Sequence, residues 1–153
     1  MVELGTSGAI RESVSTDDGM YRMVAVARKA VGITNEVEEA LDIFRTSLDR
    51  EYGRRLRDLL VFGSRARGDA TDESDVDVAI VLDGEIDSPV QEMLKVAGLA
   101  YDAIVETGIH VQGWPVSERE WANPSLHENP QLILSMRRDG LPLEAALGGP
   151  SHK

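Results

Sequence analysis

Two carboxylates spaced two residues apart, Asp75 and Asp77, are the side chains of this 153-residue chain best suited to metal chemistry. The alternation of residues from Asp75 to Leu82 predicts a β-strand, and residues i and i+2 of a strand point to the same side. Two such close like charges repel each other and raise a pKa unless a cation compensates. Hard oxygen ligands next to phosphates favour Mg²⁺, so the pair predicts a magnesium site.

Groups that can bind phosphate precede these carboxylates. Gly63 lets the backbone approach a phosphate closely, and Ser64 adds a hydroxyl donor. Arg65 and Arg67 can reach phosphate oxygens. From Arg45 to Arg67, seven arginines and three acids give a charge of +4, which leaves −15 for the rest of the chain. A basic patch beside paired carboxylates favours a metal–triphosphate ligand over a polynucleotide.

Simpler interpretations of the same residues stay open. Asp75 and Asp77 can be solvated carboxylates on an exposed sheet face. Arg65 and Arg67 can form surface ion pairs with acids of the following loop, which contribute little stability. Those acids are Asp69, Asp72 and Glu73.

The composition excludes several classes of function. The net charge is −11, which argues against binding long nucleic acid or an anionic membrane surface. No apolar run is long enough to span a membrane, and no signal peptide is predicted at the N-terminus. The chain has no cysteine, which excludes disulfides and thiolate metal sites and fits a reducing compartment. We therefore expect a cytoplasmic protein.

The elements that position these residues follow from the hydrophobic pattern and its capping residues. We predict an N-terminal extension over residues 1–35 with a possible helix from Met20 to Val31, a domain over residues 36–143, and a tail over residues 144–153. The predicted domain contains the following elements: a helix capped by Asn35 with Glu38, a strand over 56–62, a turn over 63–74, a strand over 75–82, a helix capped by Ser88, a strand over 109–116, a helix beginning at Asn129, and an edge strand over 141–143.

The helix capped by Ser88 carries a long apolar stripe that we predict to be core. Its members recur at helical spacing. They are Val90, Met93, Leu94, Ala97, Tyr101, Ile104 and Val105. The alternation of helices and strands predicts an α/β protein with a small mixed sheet and helices packed on one side.

The segment from Leu59 to Leu82 resembles the nucleotidyltransferase superfamily that includes DNA polymerase β and kanamycin nucleotidyltransferase. It is most similar to the minimal nucleotidyltransferases (MNT), whose signature is Gly-Ser, ten residues and Asp-x-Asp. Gly63-Ser64 and Asp75-Val76-Asp77 match that spacing. The resemblance implies the nucleotidyltransferase fold over residues 36–143.

The same resemblance implies an activity and a partner. Asp75 and Asp77 would hold Mg²⁺, while Gly63, Ser64, Arg65 and Arg67 would bind the nucleotide, with ATP the expected substrate. Many minimal nucleotidyltransferases pair with a HEPN-domain toxin as its antitoxin and transfer AMP to a tyrosine of that toxin. A hydroxyl of a partner protein is therefore the expected acceptor.

The sequence departs from the family pattern at one position. Active members generally carry a third carboxylate on the next strand, where this chain has His110 and Gln112. Glu106 and Asp102, near the end of the preceding helix, are alternative sources of that carboxylate. The departure motivates a second hypothesis, a nucleotide-binding antitoxin subunit with weak or no turnover. A small-molecule transferase ranks last because the chain has little room for an acceptor domain, although a homodimer could supply the missing wall.

Overall fold

The computed structural model describes residues 32–71 and 73–148. The predicted helix from Met20 to Val31, Asp72 and the last five residues lie outside that part. The described helices are α1 (Asn35–Tyr52), α2 (Ser64–Arg67), α3 (Pro89–Leu99), α4 (Tyr101–Thr107), α5 (Glu118–Ala122), α6 (Pro130–Asp139) and α7 (Leu143–Ala146). The strands are β1 (Leu56–Phe62), β2 (Val76–Leu82), β3 (Val111–Ser117) and β4 (Leu141–Pro142). Short 3₁₀ turns lie over Gly53–Arg55 and Pro124–Leu126.

The four described strands form one mixed sheet in the order β3-β2-β1-β4. β1 pairs with β2 and with β4 in antiparallel orientation, whereas β2 and β3 are parallel. Pro115 lies in the edge strand β3, where a missing backbone N–H is tolerated. These strands and helices confirm the predicted α/β class with a small mixed sheet.

The two faces of the sheet are covered differently. We call the face toward α1, α3 and α4 the core face, and its residues on β2 are Val76, Val78, Ile80 and Leu82. The opposite face, the site face, carries Asp77 and a smaller apolar cluster to which α6 contributes Ile133 and Met136. The helices thus lie mainly on one side, with α6 added on the other.

The N-terminus of α1 differs from the prediction by one residue. Thr34, not Asn35, is the N-cap, and its hydroxyl accepts a hydrogen bond from the Val37 backbone N–H. Both residue types cap helices well, so the sequence pattern alone does not choose between adjacent candidates. The predicted caps Ser88 and Asn129 are confirmed.

The predicted core stripe of α3 and α4 is wrong for five of its seven residues, which are exposed, whereas Met93 and Ile104 are partly buried. Val90, Leu94, Tyr101 and Val105 are 61–70% exposed. The residues that face the core are the smaller Val96, Ala100 and Ala103. The larger apolar residues of the two helices point outward.

No helix in the described part of the chain is long and apolar enough to cross a membrane.

Candidate active site

Asp77 lies on the site face, near the start of β2 and close to the turn after β1. Its carboxylate Oδ1 accepts a hydrogen bond of 3.2 Å from the Trp114 indole N–H. Burial raises the pKa of the Asp77 carboxyl, and Asp75 raises this pKa further. The Trp114 hydrogen bond, Arg67 and His110 act in the opposite direction. Asp77 is therefore a partly desolvated carboxylate held in one orientation by an indole.

Gly63 sits directly against this carboxylate. Its φ of +80° is a conformation that L side chains rarely adopt. A Cβ added to Gly63 would lie 2.6 Å from Asp77 Oδ2, too close for an ordinary contact. The register explains this closeness, because Phe62, the residue before Gly63, pairs with Asp77 across the antiparallel β1–β2 ladder. The glycine–serine turn and the carboxylate are thus brought together as predicted.

Ser64 is the first residue of α2 and is partly buried. Among the described residues, its hydroxyl has no hydrogen-bond partner, so it can donate to a ligand. The backbone carbonyl of Ser64 accepts a hydrogen bond from the Asp69 N–H, which fixes the turn that follows α2. The hydroxyl is therefore presented by an ordered turn.

Asp75 precedes β2 and is more exposed than Asp77. Its Oδ1 lies 3.4 Å from His110 Nδ1, close enough for an ion pair when the imidazole is protonated. Gln112 is the parallel-register partner of Asp77 on β3. The structure thus places His110 and Gln112 beside the two carboxylates, at the strand end where a third carboxylate was expected.

The other two candidates for the third carboxylate lie elsewhere. Asp102 and Glu106 are exposed residues of α4, which packs on the core face of the sheet. In residues 32–71 and 73–148, no cluster of three or more Asp, Glu, His or Cys side chains has metal-binding geometry. Within the described residues, the site therefore has two carboxylates, Asp75 and Asp77, and no third carboxylate completes a metal-binding cluster with them.

Arg65 occupies a different environment from the one predicted for a nucleotide ligand. Its side chain is only 4% exposed. The guanidinium donates to the backbone carbonyls of Gly32 (3.0 Å), Thr71 (3.3 Å) and Ser74 (3.0 Å). These bonds join the segment before α1 to the loop that leads into β2. Arg65 thus holds the loop that delivers Asp75 and Asp77.

Arg67, on the same short helix, remains exposed. Its guanidinium bonds Asp69 at 3.1 Å and Asp139 at 3.5 Å, and both carboxylates raise its pKa. Asp139 ends α6 and also bonds Arg138 at 2.9 Å, which lowers the pKa of Asp139. Exposed ion pairs of this kind exchange readily with other anions because their net strength is small. Arg67 is therefore the arginine of this turn that is available to phosphate.

The site brings carboxylate oxygens and hydrogen-bond donors onto neighbouring segments, the start of β2 and the turn after β1. Two carboxylates can ligate a hard divalent cation, and their donor set of oxygens fits Mg²⁺. Asp77 is also a partly desolvated negative charge, whose pKa only Arg67 and His110 lower by their charge among the described residues. The serine hydroxyl and the exposed arginine are groups that can donate to phosphate. Such a set of groups is suited to a metal-bound polyphosphate.

Trp114 is the residue of the site that the sequence pattern did not identify as a site residue. Its N–H bond to Asp77 depends on the parallel register of β2 and β3, in which Trp114 pairs with Ala79. The sequence could have identified Trp114 by its position: it lies two residues after Gln112, and residues two apart on a strand share a face. Trp121, the other tryptophan, packs in the apolar cluster of the site face.

Comparisons with known proteins identify the family. Residues 41–125 match the family model described as "Nucleotidyltransferase domain", more than half of the chain. Two proteins of Methanocaldococcus jannaschii, each named "Putative protein adenylyltransferase", are similar to it. One is 38% identical over 73 residues, covering 46% of this chain and 73% of the relative. The other is 30% identical over 83 residues, covering 50% of this chain and 81% of the relative.

A crystal structure of a "putative nucleotidyltransferase" from Sulfolobus solfataricus is also similar, at 19% identity and a TM-score of 0.42. It covers 71% of this chain and 86% of that protein. The family match spans the glycine–serine turn, both carboxylates and Trp114. The chain belongs to the nucleotidyltransferase domain family.

Proposed function

We propose that this chain is a Mg²⁺-dependent nucleotidyltransferase that moves AMP from ATP to a hydroxyl group of a partner protein. The observation that carries the proposal is Asp77, a desolvated carboxylate held by Trp114 against the Gly63 turn, with Asp75 two residues earlier. The names of the two archaeal relatives, both protein adenylyltransferases, support ATP as the donor and a protein as the acceptor.

Each residue of the site has a proposed role. Asp75 and Asp77 would hold Mg²⁺, which when bound neutralises triphosphate charge and lowers the pKa of an acceptor hydroxyl. Gly63 allows close approach of the phosphates, and Ser64 and Arg67 donate hydrogen bonds to them. Arg65, whose two terminal guanidinium nitrogens are already bonded to three carbonyls, orders the loop instead of contacting the nucleotide.

The proposed reaction is an in-line displacement at the α-phosphorus. The acceptor oxygen forms a bond to the α-phosphorus, the bond from this phosphorus to the bridging oxygen of the β-phosphate breaks, and pyrophosphate leaves. The acceptor hydroxyl loses its proton to His110, whose imidazole lies beside Asp75 and is not assigned to the metal. A HEPN-domain protein is the proposed partner, with this chain as the antitoxin of the pair.

A second candidate function follows from the position opposite Asp77. Gln112 occupies the register position on β3 next to the acidic pair, and an amide carries no charge for a second cation. In this alternative, the chain binds the nucleotide and its partner but transfers AMP slowly or not at all.

The first experiment measures ATP binding by calorimetry with and without Mg²⁺. We expect wild type to bind ATP only with Mg²⁺, and Asp77→Ala to lose at least tenfold in affinity. Asp83→Ala is the matched control, because Asp83 follows the opposite end of the same strand and pairs with Arg57 at the surface. Wild-type protein that binds no ATP with Mg²⁺ contradicts both candidate functions.

The second experiment separates the two candidates. The chain is incubated with its co-purifying or genomically adjacent partner, Mg²⁺, and ATP labelled at either the α- or the γ-phosphate. Transfer of the α-label alone to the partner shows adenylylation. Mg²⁺-dependent ATP binding without transfer of either label supports the nucleotide-binding subunit.

A further inference from the structure

The C-terminal end of α6 lies at the same end of the sheet as the glycine–serine turn. Leu141 of β4 pairs with Val61 of the antiparallel strand β1, two residues before Gly63. α6 ends at Asp139, two residues before Leu141. Because the two strands run in opposite directions, the chain before Leu141 leads toward the end of β1 that continues into Gly63. The ladder thus places the end of α6 beside the candidate active site.

A glycine allows this end of α6 to pack closely against β1. A Cβ added to Gly140 would lie 2.5 Å from the Met136 backbone oxygen and 2.9 Å from Leu60 Cδ2. Both distances are shorter than ordinary contacts of a Cβ, so a larger residue would push the end of the helix away from the strand. Gly140 therefore helps to fix the position of Asp139 and of the residue before it.

The carboxylate of Asp139 accepts hydrogen bonds from two arginines, Arg67 and Arg138, which we call the arginine pair. Arg138 donates from Nε to Oδ1 at 2.9 Å and from Nη2 to Oδ2 at 3.1 Å. Arg67 of α2 donates from Nη1 to the same Oδ2 at 3.5 Å. The side chain of Asp139 is 10% exposed, whereas those of Arg67 and Arg138 are 45% and 67% exposed. A sheltered carboxylate thus holds two exposed guanidiniums together.

Each guanidinium of the arginine pair keeps a donor for a ligand. Among the hydrogen bonds of residues 32–71 and 73–148, none involves Arg67 Nη2 or Arg138 Nη1. Because Arg67 Nη1 and Arg138 Nη2 contact one carboxylate oxygen, the distance between them is at most the sum of those two hydrogen bonds. A polyphosphate can span such a distance, since its neighbouring phosphate groups offer several acceptor oxygens.

Arg67 connects the arginine pair to the acidic residues of the site. Burial raises the pKa of Asp77, and the charge of Arg67 is among the effects that lower it. An effect of this kind requires the guanidinium to lie near the carboxylate. Arg67 thus belongs to the surroundings of Asp77 as well as to the arginine pair.

We propose that Arg138 is a second phosphate-binding arginine of this site and that it acts together with Arg67. This inference rests on the proposed function, because it adds a residue to the same nucleotide site. The α-phosphorus must stay open to the acceptor beside the acidic residues, so the arginine pair is assigned to the phosphates that leave as pyrophosphate. Positive charge at these phosphates stabilises the charge that develops on the leaving group. Asp139 is a positioning residue that holds the two guanidiniums side by side.

The end of a helix offers a purely structural explanation for arginines at this position. Basic side chains in the last turn of a helix interact favourably with the negative end of its dipole. Arg137 and Arg138 both lie in the last turn of α6. Within the described part of the chain, the Arg137 guanidinium donates to the Trp121 carbonyl at 3.4 Å and not to Asp139. Arg137 is therefore the matched control, because it shares the helix end and the charge but not the arginine pair.

Calorimetry of ATP binding with saturating Mg²⁺ compares wild type with Arg138→Gln and Arg137→Gln. We expect Arg138→Gln to weaken ATP binding about five- to tenfold, the size expected for an exposed, charge-assisted contact to phosphate. Arg137→Gln should weaken it by less than about twofold, since solvent and salt screen a charge without direct contact. The two variants should have the same thermal unfolding midpoint, because each removes one exposed charge from the same helix end.

Inorganic pyrophosphate with Mg²⁺ tests which part of the nucleotide Arg138 contacts. Competition between pyrophosphate and ATP measures the affinity of each variant for pyrophosphate. Arg138→Gln should weaken pyrophosphate and ATP binding by the same factor, because the lost contact is to phosphate. Arg138→Lys retains the charge without the planar fork and should restore part of the affinity for both ligands.

The results that contradict this inference differ from those that contradict the proposed function. Arg138 is not a ligand if wild type and Arg138→Gln bind ATP equally well. Equal losses in Arg137→Gln and Arg138→Gln show a general effect of charge at the helix end. A pyrophosphate affinity that Arg138→Gln leaves unchanged, or wild type that binds ATP but no pyrophosphate, contradicts the assignment to the leaving phosphates. Wild type that binds neither ligand with Mg²⁺ contradicts the proposed function and this inference together.

Discussion

The two faces of the sheet differ in what their side chains do. The core face buries an uninterrupted apolar set against α1, α3 and α4, and its members on β2 are fully buried. The site face has a smaller apolar cluster and a carboxylate whose burial raises its pKa. Alternate residues of β2 thus have two different roles: those on the core face stabilise the fold, and Asp77 on the site face belongs to the candidate active site. A substitution on the core face should therefore lower stability without changing ligand binding, and a substitution on the site face should do the reverse.

The largest expected effect is on the core face. Phe44 of α1 is 1% exposed and lies close to Gly113 of β3. Phe44→Ala leaves a cavity, and we expect it to lower the free energy of unfolding by about 3–5 kcal/mol, measured by urea denaturation. Below the unfolding transition, the variant should bind ATP with Mg²⁺ as wild type does. If folded Phe44→Ala does not bind ATP, the two faces are not independent of each other.

An intermediate effect distinguishes the two arginines of α2. Arg65→Gln loses hydrogen bonds from a buried, charged donor to three backbone carbonyls, so we expect about 2–4 kcal/mol lower stability in the same assay. Arg67→Gln removes exposed ion pairs and should leave the urea midpoint nearly unchanged while weakening ATP binding. Equal stability losses in the two variants contradict the assignment of Arg65 to the loop and Arg67 to phosphate.

The smallest expected effect is a gain in stability. Asp77→Asn removes a charge whose burial is unfavourable but keeps an oxygen for the Trp114 N–H. We expect it to raise the free energy of unfolding at pH 7 by less than about 1 kcal/mol, because solvent still screens this partly exposed group. The folded pKa of Asp77 lies above the unfolded value, so the wild type loses stability as pH rises through that interval.

The advantage of Asp77→Asn should therefore be present at neutral pH and vanish in acid, below the unfolded pKa of an aspartate. Thermal unfolding of both proteins at several pH values measures this difference. An advantage that persists unchanged in acid would show that the Asp77 charge is not its cause.

Local patterns made most of the fold predictable. The alternation around Val78 and Ile80 identified β2, and Ser88 with Pro89 identified the start of α3, because these signals depend on neighbours in sequence. The structure also brings the glycine–serine turn next to Asp77, because Phe62 pairs with Asp77 in the antiparallel β1–β2 ladder.

Long-range contacts explain what could not be predicted. Periodicity showed that α3 and α4 have an apolar stripe, but it does not show whether the same chain covers that stripe. Arg65 was expected at a ligand, and its bond to the Gly32 carbonyl joins residues 33 positions apart. The Trp114 bond to Asp77 likewise depends on strand register, which a single sequence leaves open.

The contact between Gly63 and Asp77 limits how this site can evolve. A side chain at position 63 collides with the Asp77 carboxylate and strains a positive φ. A smaller residue at position 77 relieves only the collision and removes the proposed metal ligand at the same time. The two positions are therefore epistatic: a path that changes the glycine first strains the turn and displaces the Asp77 carboxylate, and a path that changes the aspartate first loses the proposed function. The glycine–serine turn and the Asp-x-Asp strand are expected to be inherited or lost as a unit.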